Sequence, residues 1–393
     1  MTRNIQISSK LTLHDLDNLL SETYDADEEV QLWLPTQLGS QLFKYNRVCY
    51  LIASLSKKCR LSIVNWSQST ETKNIEPRFQ TTLEGLASIY YSRSLVDPQG
   101  LKLHFDQERT IWDVNKREGR VETTGLGVTL SYCCFDEANQ VSLPTAFSRI
   151  NTDRSGFIND FKAARRKYFE QGVASTYSQR IQPTLFDLPL STDDPTISVS
   201  PDDAVASFIF EIFQNGFRHG CRNADGSPIP GLRYVSLRKH IGFDRLEFVR
   251  RASGFQDLEE YLATQFPTPG TKSFLEISVA DHGMGIIRRF LATRPEYGPV
   301  PETNDSKLVL LNRIISQSLS SNTMQSGAGR GLGRALEAVR RLRGFVSLRT
   351  DNLWLVYSPE NTHTNIDQSF REARNIDNLP DVPGTHFNLL FPM

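Results

Sequence analysis

The sequence shows no excess of charge of either sign, little cysteine and no long apolar run, and each of these removes a class of function. Lysine and arginine number 44 against 45 aspartates and glutamates, for a net charge of -1 at pH 7. No global field therefore favours nucleic acid or an anionic membrane. No run of about 18 apolar residues occurs, so no membrane span is expected. The opening MTRNIQISSK lacks the apolar core of a signal peptide. The five cysteines (Cys49, Cys59, Cys133, Cys134, Cys221) form no C-x-x-C pair and have no paired histidine. They read as reduced, mostly buried thiols of a cytoplasmic protein. No glycine-rich loop ends in G-K-[ST], which excludes a P-loop. The glycines do not follow the first strand of a βαβ unit, which argues against a Rossmann fingerprint.

What is present is ordinary globular material: 393 residues, 39% apolar and 23% charged. That length predicts two domains, each able to bury its own core. Residues 1–185 read as an α/β domain of unknown, regulatory-type role. VQLWLP (30–35) and LSIVNW (61–66) look like strands around the helical 46–58 stretch. Further helices are expected at 82–95 and 157–172, and strands at LKLHFD and VTLSYCCF. Element order alone suggests a STAS-like layout. The basic run Lys162 to Lys167 reads as a solvated helix face. Composition turns Ser-, Thr-, Pro- and Asp-rich over 173–203, which places a linker at 186–200. Ser200-Pro201-Asp202-Asp203 then supplies a helix start, with acids at the positive end of the dipole.

The stretch 208–220, FIFEIFQNGFRHG, reads as one helix with unlike faces. Ile209, Ile212, Phe213 and Phe217 are apolar at helical spacing. Glu211, Asn215 and His219 recur every four residues and stack on the other side, with Arg218 beside them. A carboxamide oxygen can ligate a hard cation while a carboxylate one turn away polarises a water. The plainer alternative is an amphipathic surface helix. Three later stretches add to it: the D-x-G-x-G turn of SVADHGMGI (278–286), the glycine loop of SGAGRGLGRAL (326–336), and GTHFNLLFP (384–392). Leu275, Ile277, Val279 and Asp281 share one strand face, and Thr385 shares parity with Phe387, Leu389 and Phe391. Asp281 and Thr385 can therefore enter one pocket between sheet and helices. Free N–H groups at a helix start after the glycines form an anion site.

These four stretches resemble, in order, the N, G1, G2 and G3 boxes of the GHKL ATPases: gyrase-type topoisomerases, the heat-shock chaperone, histidine kinases and MutL. The resemblance covers the C-terminal half. It implies an α+β two-layer sandwich over 201–393 that binds ATP and Mg²⁺. Glu211 would be the general base, Asn215 the metal ligand, and Arg218 a neutraliser of phosphate charge. Asp281 would accept from the adenine amine, with Thr385 at the same edge and Gly283 and Gly285 approaching the base. Gly327, Gly329, Gly331 and Leu332 would cradle phosphates, and residues 287–326 would form a lid. The E-x-x-x-N-x-x-x-H form looks most like the anti-sigma serine kinases and the hydrolysing members. His282 stands where the family more usually has Asn. No H-E-x-x-x-P phosphoacceptor occurs; His14-Asp15 is a remote candidate. The expected function is an ATPase that passes its nucleotide state to an unidentified protein partner. A serine kinase, a non-catalytic ATP switch and a homodimer all stay open.

Overall fold

The computed structural model describes residues 2–22, 24–35, 38–39, 41–66, 82–97, 99–104, 120–124, 127–137, 140–141, 153–169, 201–220, 222–252, 254–317, 319, 331–359, 370–374 and 379–393. The expected 186–200 linker, Ser200, Gly327 and Gly329 lie outside these residues. The chain is mixed α/β with two sheets, as its patterning predicts.

The first part alternates strand and helix: β1 (Thr2–Gln6), α1 (Leu13–Ser21), β2 (Glu29–Pro35), α2 (Lys44–Lys58), β3 (Arg60–Trp66), α3 (Leu83–Tyr91), β4 (Ser94–Val96) and β5 (Lys102–Leu103). Strands β1 to β4 are parallel neighbours in sequence order, and β5 closes the edge antiparallel. Local chemistry sets the helix starts. Thr12 and Asp15 form a capping box at α1, and the Thr82 hydroxyl accepts from the Gly85 amide at α3. Such caps contribute about 1 kcal/mol each.

The second sheet has nine strands and draws on a wider span of chain than 201–393. It takes β6 (Arg120–Thr124), β7 (Gly127–Glu137) and β8 (Gln140–Val141). Helix α4 (Arg154–Phe169) follows, then α5 (Pro201–Asn215), which runs into a wide π-type turn at Gly216–Gly220. Next come β9 (Leu232–Phe243), α6 (Arg245–Ala252), α7 (Gln256–Gln265), β10 (Lys272–Asp281), α8 (Ile286–Thr293) and α9 (Asn304–Ser316). The chain finishes with α10 (Gly331–Arg341), β11 (Phe345–Asp351), β12 (Leu353–Tyr357), β13 (Arg371–Glu372) and β14 (Val382–Pro392). The sheet order is β13-β12-β11-β14-β10-β9-β7-β6, with β8 beside β7. Its pairings are antiparallel. Strand β7 lies along β9 from Gly127↔His240 to Phe135↔Leu232, so strands expected in the N-terminal domain extend this sheet.

Both faces of the long sheet are covered, where a two-layer sandwich was expected. Leu275, Ile277 and Val279 of β10 join Phe387 and Leu389 in a core with Phe208, Ile209, Ile212 and Phe213 of α5 and Leu336 and Val339 of α10. The alternate residues face the other way. There Ala280, Tyr234 and Val382 pack with the core of the first sheet, while Phe274, Phe345 and Leu390 pack with Phe43 and with Phe248 and Tyr261 of α6 and α7. Helix α2 is buried on nearly all sides because it lies between the two sheets. Its Lys44 is fully covered and donates to the Ser8, Ser9 and Leu11 carbonyls at 3.1, 2.9 and 2.8 Å. Burial lowers its pKa to about 8.

Candidate functional site

The organising helix is α5, as its 3.6-residue pattern predicts. Phe208, Ile209, Ile212 and Phe213 are buried in the core, which leaves Glu211 and Asn215 along its edge. The helix then widens into the Gly216–Gly220 turn. This turn brings two glycines onto Asp281. A Cβ on Gly216 would lie 3.4 Å from the Asp281 Oδ2, and one on Gly220 would overlap the carboxylate itself. Gly283 presses its backbone on the Gly220 carbonyl, so a side chain at 283 cannot fit. Its amide donates to Asp281 Oδ1 at 3.0 Å.

Asp281 ends β10 directly across from Thr385 of β14 and from Arg233 of β9. The shared parity of Asp281 and Thr385 is therefore realised as a cross-strand pair. The carboxyl is buried, and burial pushes its pKa up to about 6 against the opposing pull of the Gly283 amide, Arg233, the Thr385 backbone and Lys57. Arg233 lies over the Phe217 ring at 4.7 Å.

The two glycine turns are tied together by Thr350 of β11, whose hydroxyl donates to the Gly384 carbonyl at 3.1 Å and accepts from the Ile286 amide at 3.3 Å. Gly285 has φ +87° and Gly384 has φ +76°, the region where side chains strain the backbone. At Gly384 a Cβ would also collide with the Asp281 carbonyl.

Helix α10 begins at Gly331, next to the same edge of α5. A Cβ on Gly331 would stand 3.2 Å from Glu211 Oε2 and 3.2 Å from the Asn215 carboxamide. The first box and the described end of the glycine loop thus meet, with the helix N-terminus close to Glu211 and Asn215. Leu332 packs against the core below. Glu211 is buried, and its Oε1 takes two arginines: Arg154 Nε at 3.3 Å and Arg334 Nη1 at 3.4 Å. Among the described residues no group of three or more His, Cys, Asp or Glu side chains is placed to hold a metal ion. A site built on the Asn215 carboxamide, water and phosphate oxygens needs no such group.

Arg218 and His219 sit on the wide turn. Burial and the neighbouring Arg289, Arg218 and Arg222 lower the His219 pKa to about 4. His219 is thus a neutral member of a cationic corner.

His282, next to Asp281, turns to the opposite face. It is buried against Tyr91, which bonds its Nδ1, and against the His386 ring at 5.1 Å. Lys57 of α2 donates to its carbonyl at 3.4 Å. His14 is exposed on α1, and its neighbour Asp15 is engaged in the helix cap.

The stretch expected as a lid is docked over its described part. Leu311, Ile314 and Ile315 of α9 are buried, and the Asn312 side chain bonds both backbone groups of Phe370 at 2.9 Å. Among the described residues no helix is long and apolar enough to cross a membrane. Cys49 and Cys59 are buried free thiols.

No protein-family model, no curated protein and no solved structure matches the chain. The GHKL likeness therefore rests on the four sequence motifs.

Sequence reading missed Arg154, Arg233, Thr350 and Lys57. Arg334 sat within a quoted motif without a role. Arg154 carries no motif: it reaches Glu211 because α4 packs on α5. Phe157 stacks on Phe161 at 5.9 Å and meets Phe210 at 5.2 Å, and Lys162 pairs with Asp203 at 2.7 Å.

Proposed function

We propose that the chain binds Mg·ATP along the α5 edge of the long sheet and hydrolyses it. The observation that carries this reading is Asp281. It is a buried carboxylate with glycine backbone packed on it, at the foot of the helix that also presents Glu211 and Asn215 to the start of α10. A carboxylate is costly to bury without donors. Adenine offers an exocyclic amine that a carboxylate accepts from, so Asp281 selects adenine over guanine, whose oxygen at that position is an acceptor. Thr385 stands across from Asp281 at the same edge.

At the other end the amides at the α10 start and the helix dipole hold phosphate. Asn215 would ligate Mg²⁺ through its carboxamide oxygen. The metal's contribution is charge neutralisation at the phosphates. Glu211 orients a water and takes its proton as the water oxygen bonds to the terminal phosphorus. The bond from that phosphorus to the bridging oxygen breaks, and its electron pair leaves with ADP. Arg218 and its cationic neighbours attract the polyphosphate toward the site.

The nucleotide state can reach a protein partner through the D-x-G-x-G turn. That turn holds Asp281 on one sheet face and His282 on the other, where the Lys57 and Tyr91 side chains of the first α/β unit grip it. Phosphate release in the presence of ATP and Mg²⁺, measured beside ATP binding by calorimetry, tests the reading. Binding with release supports the ATPase; binding without release, with or without a partner, leaves a switch; absence of binding defeats the reading.

A further inference from the structure

The two arginines on Glu211 have no place in the four motif roles. They come from separate elements, Arg154 from the first residue of α4 and Arg334 from the first turn of α10. Both close on the same oxygen, Oε1 of a buried carboxylate. The other oxygen, Oε2, faces Gly331 and the α10 start. Both arginine side chains are part-exposed, at 41% and 52%, so each can swing without opening the core. The placement of Arg154 is fixed from behind. Asp153 accepts from the Gly156 amide at 2.9 Å and caps the helix, and the Arg154 guanidinium also bonds the Ser207 hydroxyl of α5.

We infer that Arg154 and Arg334 are terminal-phosphate residues, held on Glu211 until a nucleoside triphosphate arrives. This rests on the ATP reading above and deepens it. Oε1, holding two guanidiniums, has no lone pair left with which to orient a water. A terminal phosphate at the α10 start carries more negative charge than Glu211 and offers more acceptor oxygens to the guanidinium fork. It would draw one or both arginines off Oε1. Oε1 of Glu211 is then free to orient the attacking water, and the departing charge is neutralised by the same arginines. ADP lacks that phosphate, so it leaves the arginines on Glu211. The device makes the base available only when the substrate is the triphosphate.

Helix α4 belongs to the segment before residue 186, so the site takes a working residue from outside the span that carries the four motifs.

The test is the preference for ATP over ADP, measured by calorimetry with Mg²⁺ on the full chain. Arg154→Ala and Arg334→Ala should each lower ATP affinity by about 10-fold or more while ADP affinity stays within about twofold, the loss expected for one charge-assisted hydrogen bond. Glu211→Gln, which releases the arginines without removing them, should raise the ATP-over-ADP ratio. Arg154→Lys should recover part of the ATP affinity. If both alanine variants keep the wild-type ratio, or lose ATP and ADP equally, the arginines are only ion-pair partners of Glu211 and the inference is wrong. If wild type binds ATP and ADP equally, the inference also falls while the ATP site stands. If wild type binds neither, both readings fall together.

Discussion

The two faces of the long sheet are built from alternate residues of the same strands, and they differ in kind. The face under α5 and α10 is apolar along Leu275, Ile277 and Val279, with Lys239 opposite Leu275 at one end and Asp281, Thr385 and Arg233 gathered at the other. The face toward α2 carries buried polar side chains along its length. Asn46 of α2 donates to Asn388 at 2.8 Å, and Ser278 donates to the same oxygen at 2.8 Å. Glu276 accepts from the Phe43 amide at 3.1 Å and meets His240 at 2.9 Å. Asp17 of α1 pairs with Arg47 at 3.0 Å and lies 3.6 Å from Arg349 of β11, and Arg47 stacks on Trp354 at 3.6 Å.

The difference separates two uses of buried polarity. Polar groups that pair across the contact, such as Asn46 with Asn388 and Asp17 with Arg349, fix how the two units dock. The polar groups at the Asp281 end, with glycine backbone packed on them, are the ones the proposed nucleotide site uses. Substitutions on the two faces should therefore have unlike signatures: loss of chemistry or ligand on one, loss of stability on the other.

The largest expected effect on the α5 face is kinetic. Glu211→Ala leaves Asn215, Asp281 and Gly331 in place and should cut turnover by about 10²–10⁴-fold, with ATP binding kept within a few-fold. Phosphate release set against calorimetry reads both. Parallel losses of turnover and binding would mean that Glu211 shapes the pocket rather than the reaction.

The largest effect on the α2 face should be thermodynamic. Asp17→Ala leaves Arg47 and Arg349 buried without their carboxylate and should cost about 3–5 kcal/mol in denaturant unfolding. Its folded fraction should bind ATP as wild type does. Weaker ATP binding with unchanged stability would erase the distinction between the faces.

A smaller effect is expected with pH, and its sign differs between binding and stability. Burial raises the folded pKa of Asp281 from 3.8 to about 6. Because the folded value is the higher one, the ionised group opposes folding; that cost is full above about pH 6 and vanishes as pH falls below the unfolded value. In the proposed site, adenine binding needs the ionised form. Affinity should be level above about pH 7 and drop by roughly tenfold per unit below 6. Calorimetry across this range checks it, and a flat profile would mean that Asp281 does not titrate with binding.

The contrast between the faces also explains what was legible in the sequence. Strand β10 shows its alternation plainly, so the parity of Asp281 with Leu275, Ile277 and Val279 could be read directly, and Thr385 followed by the same rule. The helix of Glu211 and Asn215 was equally readable from its apolar stripe. The other face was not legible. A strand buried on both sides gives Glu276, Ser278 and Arg349 no solvent-facing pattern, and their partners lie far along the chain: Phe43 and His240 for Glu276, Asn388 for Ser278, Asp17 for Arg349. The joining of β7 to β9 was hidden for the same reason: pairing across about a hundred residues leaves no local mark. Arg154 reaches Glu211 only through the packing of α4 on α5, which periodicity does not specify.

The most direct measurement is ATP titrated calorimetrically into wild type and Asp281→Asn in parallel, with Mg²⁺ at pH 7.5, each checked for folding. Asn presents donors where the carboxylate only accepts. Wild type should bind ATP in preference to GTP, and Asp281→Asn should bind ATP about 10-fold or more weakly. Equal ATP affinity in the two folded proteins, or no binding by wild type, would contradict the assignment of this edge of the sheet as an adenine nucleotide site.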